Sequence, residues 1–99
     1  MALKVLIKMS NVVVTLKIMP ESIDINLDKL ADKIEEKVHS LFGNVAFKFQ
    51  KEPVAFGLNA LIVNFVIGES ESSDDLIEKI KEIEGVNSVN MIDIRRAIG

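Results

Sequence analysis

The order in which two hydrophobic periodicities follow one another is the feature of this chain that most constrains its fold. Apolar residues that alternate with polar ones are typical of a half-buried strand, whereas apolar residues three or four positions apart are typical of a helix with one buried face. Six segments show these patterns in the order strand, helix, strand, strand, helix, strand: residues 11–19, 27–41, 45–50, 58–67, 76–83 and 86–94. The sequence therefore predicts a β-α-β-β-α-β chain.

The connection between the second and third predicted strands is short, so we expect these two strands to pair as antiparallel neighbours. Right-handed crossovers then place both helices on one face of a four-stranded antiparallel sheet. The predicted fold is an α+β, ferredoxin-like βαββαβ sandwich. Its second sheet face is open, and we expect polar side chains there: Thr15, Lys17, Lys48 and Gln50.

Local signals predict where the elements begin, end or bend. Asn26 is the expected N-cap of the first helix, and Ser72 with Asp75 resembles a capping box for the second. Gly85 is expected at the C-cap position of the second helix. The alternation within residues 86–94 is irregular, which predicts a β-bulge in the last strand.

Composition excludes several classes of protein. A length of 99 residues, with 48% apolar and 27% charged side chains, indicates one folded domain rather than a disordered chain. The chain contains no cysteine, which excludes a disulfide framework and a thiolate metal site. A net charge of −3 argues against direct nucleic-acid binding, and the longest apolar run, residues 58–67, is too short to span a membrane as a helix. We therefore expect a cytoplasmic protein with no membrane contact.

Residues 1–8 stand outside the β-α-β-β-α-β pattern. They fit either a fifth strand at the sheet edge or an extension upstream of a start at Met9, and we favour the extension. The predicted organisation is thus an N-terminal extension, residues 1–8, followed by a single ferredoxin-like domain, residues 9–99.

The segment between the two middle strands carries an aromatic ring inside a break in the pattern. Pro53 cannot donate a ladder hydrogen bond, and Gly57 permits a positive φ, so the backbone turns between them. Ala55 and Phe56 lie within this turn, where a large apolar ring is normally avoided. Phe56 therefore either plugs the end of the core or contacts a partner, and composition leaves both alternatives open.

The last predicted strand runs into a charged group made of Asp93, Arg95 and Arg96. These residues form either a solvated segment or a charged contact for a partner. Because adjacent strand residues point to opposite faces of a sheet, at most one of the two arginines can face a given partner.

The other candidate sites are weak. His39 lies off the apolar stripe of the first helix, where a solvated or capping side chain is the usual role. The acidic residues before the second helix lack the spacing of a calcium loop, and the chain has no glycine-rich phosphate loop, so we expect no metal or cofactor. Phe47 and Phe49 are expected in the core rather than stacked on RNA bases, because no RNA-binding motif surrounds them.

Four segments, taken together and in order, resemble the archaeal translation elongation factor 1-beta family. They are residues 14–22 (VTLKIMPES), 52–58 (EPVAFGL), 83–86 (IEGV) and 93–96 (DIRR). The resemblance extends from about residue 10 to about residue 98, and its most specific part is the Pro-x-Ala-Phe-Gly-Leu turn together with the Asp-x-Arg-Arg segment. Residues 1–8 fall outside it.

The resemblance implies a guanine nucleotide exchange factor for elongation factor 1-alpha, the GTPase that delivers aminoacyl-tRNA, and not an enzyme with a chemical step of its own. In the eukaryotic relative, the aromatic residue of the turn contacts the second domain of the GTPase, and Phe56 matches that position. A lysine of that relative, which reaches the magnesium and phosphate site, corresponds to Gly99, which has no side chain, so the role of the lysine cannot be carried over to this chain. Our hypothesis is that Arg95 or Arg96 replaces it from a different position. The implied partner-binding residues are Pro53, Ala55, Phe56, Gly57, Arg95 and Arg96.

Two other functions remain open for this fold, since the ferredoxin-like arrangement serves unrelated activities. One is a small-ligand-binding regulatory module that dimerises through its sheet edges. The other is an RNA-binding domain that uses the open sheet face and binds with a strong dependence on salt. Neither accounts for the Phe-Gly turn together with the two arginines.

Overall fold

The computed structural model describes residues 11–68 and 71–97, and the predicted order of elements is confirmed within them. The strands are β1 (Asn11–Pro20), β2 (Phe47–Pro53), β3 (Asn59–Gly68) and β4 (Val86–Ala97), and the helices are α1 (Leu27–Phe42) and α2 (Asp74–Lys81). The predicted extension of residues 1–8 and the position of Gly99 lie outside the described residues.

The four strands form one antiparallel sheet in the order β2-β3-β1-β4, which confirms the ferredoxin-like fold. β1 and β3 occupy the centre and pair from Asn11 opposite Gly68 to Ile18 opposite Leu61. β2 and β4 are the edge strands. The long central pair is the scaffold from which the connecting segments project at both ends.

The core lies between one face of this sheet and the two helices. On β1, Val14, Leu16 and Ile18 are fully buried, while Thr15 and Lys17 on the opposite face are only half-buried. The helices cover the buried face with their apolar stripes, which are Leu27, Leu30, Ala31, Ile34 and Val38 in α1 and Leu76 and Ile80 in α2. Removing this apolar surface from water, at roughly 25 cal/mol per Å², is the main contribution that stabilises the sandwich.

The open face of the sheet is less polar than the sequence predicts. Val13 is half-buried on this face, and Ile62 is almost completely buried. Ile62 lies between Lys17 and Gln50 in the register, and the Nζ of Lys17 lies 4.0 Å from Oε2 of Glu52. Long polar side chains therefore cover apolar surface here with their aliphatic stems.

The capping signals are confirmed at α1 and wrong at α2. Asn26 caps α1, since its side chain accepts a hydrogen bond of 3.1 Å from the backbone N–H of Lys29. α2 has its N-cap at Ser73, whose side chain makes no capping hydrogen bond. Ser72 instead accepts from the backbone N–H of Asp74 at 3.1 Å, a local turn that replaces the expected capping box.

Gly85 is not the C-cap of α2, contrary to the prediction. The helix ends at Lys81 with Glu82 as its C-cap, and Gly85 lies further along with a φ of +99°. The carbonyl of Gly85 accepts a hydrogen bond of 2.9 Å from the backbone N–H of Glu21, which ties the segment before β4 to the end of β1. The glycine is therefore required by the turn into β4, not by the end of the helix.

Of the two aromatic residues predicted for the core, Phe47 packs against it and Phe49 does not. Register places Phe49 opposite Val63, on the face that carries the helices. Phe49 is nevertheless 39% exposed, because β2 is an edge strand and, among the residues that the structure describes, pairs with β3 alone. The prediction that Phe49 belongs to the core is wrong.

The predicted β-bulge is present in β4. Leu16 pairs with Met91 and Thr15 with Asp93, so Ile92 is the extra residue on the bulged strand. The bulge lies near the middle of the sheet and precedes the charged residues of β4.

The connecting segments gather at the two ends of the sheet. At one end, which we call the Phe56 end, lie the β2–β3 turn (residues 54–58), the β1–α1 loop (residues 21–26) and the α2–β4 turn (residues 82–85). At the other, which we call the Arg95 end, lie the start of β1 and the last residues of β4.

Candidate functional site

The β2–β3 turn is a tight, hydrogen-bonded reversal. The backbone N–H of Leu58 donates to the carbonyl of Ala55 at 3.1 Å, and the N–H of Val54 donates to the carbonyl of Leu58 at 2.8 Å. Phe56 and Gly57 occupy the two central positions, with φ values of 56° and 77°. Positive φ at both positions is the mark of a type I′ hairpin turn, in which asparagine and glycine are strongly preferred.

Phe56 is the residue of this turn that the fold does not explain. It is 97% exposed, so the alternative in which its ring plugs the end of the core is wrong. A left-handed backbone costs a residue with a Cβ roughly 1–2 kcal/mol, and a fully exposed ring gains no burial that would offset this cost. Backbone strain combined with exposure of a large ring is typical of a binding site and not of a structural turn.

The other predicted residues of the turn leave room around the ring. Pro53 is the last residue of β2, an edge strand, where a missing N–H is tolerated. Ala55 and Gly57 are exposed and small, so no bulky neighbour within the turn shields the ring. The ring of Phe56 is therefore accessible to a concave partner surface.

The two candidate arginines lie on opposite faces of the sheet. Arg95 pairs with Val13 on the open face, and Arg96 pairs with Val12, which packs against the core on the helix face. The Nε of Arg95 donates to Oδ2 of Asp93 at 2.7 Å, and the Arg95 side chain is 77% exposed. Because Asp93 accepts from Nε, the terminal guanidinium nitrogens of Arg95 keep donors for a partner.

A shallow groove of about 370 Å³ lies on the open face. Its lining consists of Val13, Ala46, Phe47, Lys48, Asn64, Phe65 and Val66. Only Lys48 and Asn64 bring polar side chains to it, and the Asn64 amide already donates to the hydroxyl of Thr15 at 2.6 Å. The groove therefore has few free polar groups with which to orient a small ligand.

The structure does not bring Phe56 and the arginines together. Val13, which pairs with Arg95, and Pro20, which adjoins the Phe56 end, are seven positions apart on β1. At a rise of about 3.4 Å per residue, the two ends of the sheet lie about 25 Å apart. A partner that contacts both ends must span the length of the sheet.

The remaining sequence candidates have local roles or are not supported. Nε2 of His39 lies 3.3 Å from the carbonyl of Val45 and 3.9 Å from Oε2 of Glu35, which fits a role at the end of α1. Within residues 11–68 and 71–97, no group of histidine, cysteine and carboxylate side chains is arranged to hold a metal ion. No helix in the same part of the chain is both long and apolar enough to cross a membrane.

Sequence reasoning missed apolar residues that are exposed in the structure. Ile23, in the β1–α1 loop, is 67% exposed. The sequence contains the same kind of indication for Ile23 as for Phe56, namely an apolar residue in a segment between two regular elements. Ile23 lies between Pro20, which ends a strand, and Asn26, the N-cap of the following helix. Three further residues are partly exposed on β4: Met91, Ile92 and Ile94.

Comparison with known proteins identifies what this chain resembles. Residues 13–97 match the family described as EF-1 guanine nucleotide exchange domain. The chain is 40% identical over 89 residues to elongation factor 1-beta of Methanothermobacter thermautotrophicus, with 89% of this chain and 98% of that protein covered. It is 37% identical to elongation factor 1-beta of Pyrococcus abyssi, with 87% and 94% covered, and 37% identical to that of Nanoarchaeum equitans, with 83% and 100% covered.

A solved structure of a designed protein has the same arrangement of elements. The de novo designed protein Foldit4 superimposes with a TM-score of 0.60, covering 90% of this chain and 98% of the designed one. The two sequences are 19% identical, so the likeness concerns the fold alone.

Proposed function

This chain belongs to the EF-1 guanine nucleotide exchange domain family, and we propose that it promotes the exchange of GDP for GTP on elongation factor 1-alpha during protein synthesis. The observation that carries this proposal is the family match over residues 13–97, which includes both the Phe56 turn and the two arginines. The factor works in the cytoplasm by binding the GTPase, without a cofactor or a chemical step of its own. It contacts neither nucleic acid nor membrane directly.

The family match favours neither of the alternative functions. The groove on the open face has few free polar groups for a small ligand. Two cations of that face are already paired, Lys17 with Glu52 and Arg95 with Asp93, which reduces the positive potential that RNA binding requires.

Exchange follows from the thermodynamic linkage between two ligands of one GTPase. An exchange protein that binds the nucleotide-free GTPase more tightly than the GDP-bound form must weaken GDP binding in the same ratio as these two affinities. GTPases hold GDP through phosphate contacts and a bridging Mg²⁺, around which switch segments are ordered. Lowering the barrier to release by about 4 kcal/mol accelerates GDP release about a thousandfold.

The two ends of the sheet offer two separate contacts for this purpose. The Phe56 ring anchors the domain on one surface of the GTPase, where burial of an exposed aromatic side chain is favourable. About 25 Å away, Arg95 presents a guanidinium toward the phosphate and magnesium site, where it competes with the metal ion for the phosphate oxygens. The central strands hold both side chains on one rigid scaffold, so anchoring at one end positions the charge at the other.

Release of fluorescent GDP from the cognate elongation factor 1-alpha tests the proposed function. We expect this protein to accelerate release by about two to three orders of magnitude, with a rate that saturates as its concentration rises, because the acceleration requires a complex. An excess of unlabelled GDP prevents rebinding of the probe in every trace. Unchanged release from a GTPase that binds and hydrolyses GTP normally would overturn the proposal.

Replacing Arg95 with glutamine is expected to lower the maximal rate of GDP release about tenfold, because a hydrogen bond to a charged group contributes about 1.5–3 kcal/mol. The protein concentration at half-maximal rate should change little, since the Phe56 anchor remains. Arg96→Gln is the matched comparison, because it removes the same charge from the opposite sheet face. A larger loss in Arg96→Gln would place the contact on the helix face, and small losses in both would show that neither arginine reaches the nucleotide site.

A further inference from the structure

The β1–α1 loop lies at the same end of the sheet as the Phe56 turn. β1 ends at Pro20 and β2 at Pro53, and both strands leave the sheet at the Phe56 end. The first turn of α1 lies over β2, because Oδ1 of Asp28 is 3.2 Å from the Nζ of Lys51. The loop between β1 and α1 therefore crosses this end of the sheet toward the strand pair that carries Phe56.

Ile23 projects outward from this loop. It is 67% exposed, whereas Ile25 is half-buried and lies against Gly85. The loop backbone is held by local hydrogen bonds, since the N–H of Asp24 donates to Oγ of Ser22 at 3.2 Å and the N–H of Ile25 to the carbonyl of Ser22 at 3.4 Å. An apolar side chain on an ordered loop loses less conformational entropy on binding than one on a free segment.

The charges beside Ile23 are negative. The β1–α1 loop carries two exposed carboxylates, Glu21 and Asp24, and no cation, and neither carboxylate forms a salt bridge in the part of the chain that the structure describes. The Phe56 turn, residues 54–58, carries no charged residue. Lys29 and Lys33 line a depression of about 260 Å³ together with Glu21 and Glu84, so these two carboxylates lie near lysines, whereas Asp24 is not part of that lining. Asp24 is therefore the negative charge next to Ile23 that basic groups at the rim of an apolar partner surface would complement.

We propose that Ile23 is a second apolar anchor for elongation factor 1-alpha, beside Phe56, on a GTPase surface that is apolar and rimmed by lysine or arginine. The identity of the partner rests on the proposed function. A single aromatic anchor fixes a point of contact but leaves the domain free to rotate about it. At about 25 Å from that point, a rotation of about 10° displaces Arg95 by about 4 Å, more than the length of a hydrogen bond. A second anchor on another segment restricts this rotation.

Calorimetric titration of nucleotide-free elongation factor 1-alpha with the wild-type protein and with Ile23→Ala tests the second anchor. We expect Kd to rise about five- to tenfold, as for a moderate interface residue. The melting temperature should not change, because the side chain is exposed. Ile23→Lys should raise Kd further, to about thirtyfold, since it places a positive charge against the basic rim. Phe49→Ala is the control, an apolar residue on β2 that is 39% exposed and lies outside the β1–α1 loop and the Phe56 turn, and it should bind like the wild type.

The outcomes separate this inference from the proposed function. Unchanged binding by Ile23→Ala, with normal binding and exchange by the wild type, overturns the second anchor alone. Weakened binding by Ile23→Ala, with no acceleration of GDP release by the wild type, supports the anchor and overturns the exchange function. Binding by Ile23→Lys that is tighter than that of Ile23→Ala overturns the basic rim. Absence of wild-type binding overturns both proposals.

Discussion

Replacing Phe56 with asparagine is expected to stabilise the fold by about 1 kcal/mol while weakening binding to elongation factor 1-alpha about thirtyfold. Stability rises because asparagine adopts a positive φ more readily than phenylalanine, and because Phe56 contributes nothing to the core. Binding weakens because loss of an aromatic anchor typically costs at least about 2 kcal/mol, which is about thirtyfold in Kd. A gain in stability together with a loss of affinity distinguishes a role of Phe56 in binding from a role in folding.

Thermal unfolding and a binding titration measure the two effects of Phe56→Asn on one preparation. In a domain of this size, the melting temperature should rise by about 4–8 °C for each kcal/mol added to the free energy of unfolding. Phe49→Ala is the matched control, because Phe49 is a partly exposed phenylalanine on the same hairpin but outside the turn. A lower melting temperature with unchanged binding in Phe56→Asn would assign the ring to the stability of the fold and contradict its role as an anchor.

Replacing Gly85 with alanine is expected to destabilise the protein by about 2–3 kcal/mol. Its φ of +99° is one that side chains rarely adopt, and an added Cβ would lie 3.1 Å from Cδ1 and 3.5 Å from Cγ2 of Ile25. The cost combines backbone strain with the displacement of a side chain that packs against the core. The loop that carries Ile23 would shift together with Ile25.

Gly43→Ala separates the two components of that cost. Gly43 also has a positive φ, +84°, but an added Cβ there meets no atom within 4 Å. Urea unfolding should therefore show a loss of about 1 kcal/mol for Gly43→Ala, from strain alone, and a larger loss for Gly85→Ala. Equal losses in the two variants would mean that Ile25 moves aside without cost.

The order of strands and helices could be predicted because periodicity and capping are local signals. Asn26 is an example, since its side chain accepts a hydrogen bond from the backbone N–H of Lys29, only three residues further along the chain. Phe49 shows the limit, because alternation indicates the face that a strand residue takes but not whether that face is covered. Gly85 shows a second limit, because a glycine after a helix fits either a C-cap or a turn. The hydrogen bond that its carbonyl accepts from the distant Glu21 shows that it belongs to the turn.

For the candidate site, the sequence identified segments but not their relation in space. The two alternatives for Phe56 stayed open because exposure of a turn residue depends on the segments that surround it. The separation between the Phe56 end and the Arg95 end follows from the register of β1 with its neighbours, which no local pattern contains. Ile23 was missed because Ser22 and Asp24 on either side make its loop look like an ordinary solvated connection.

The bulge in β4 determines which arginine is presented on which surface. Strand residues alternate between the two faces of a sheet, so one extra residue turns every residue that follows it to the opposite face. With Ile92 as the extra residue, Asp93 and Arg95 share the open face. Continuous pairing would instead put Arg95 opposite Val12 and turn Arg96 to the open face. A one-residue insertion or deletion between the bulge and the arginines would thus exchange the sheet faces to which the two arginines point without altering either residue.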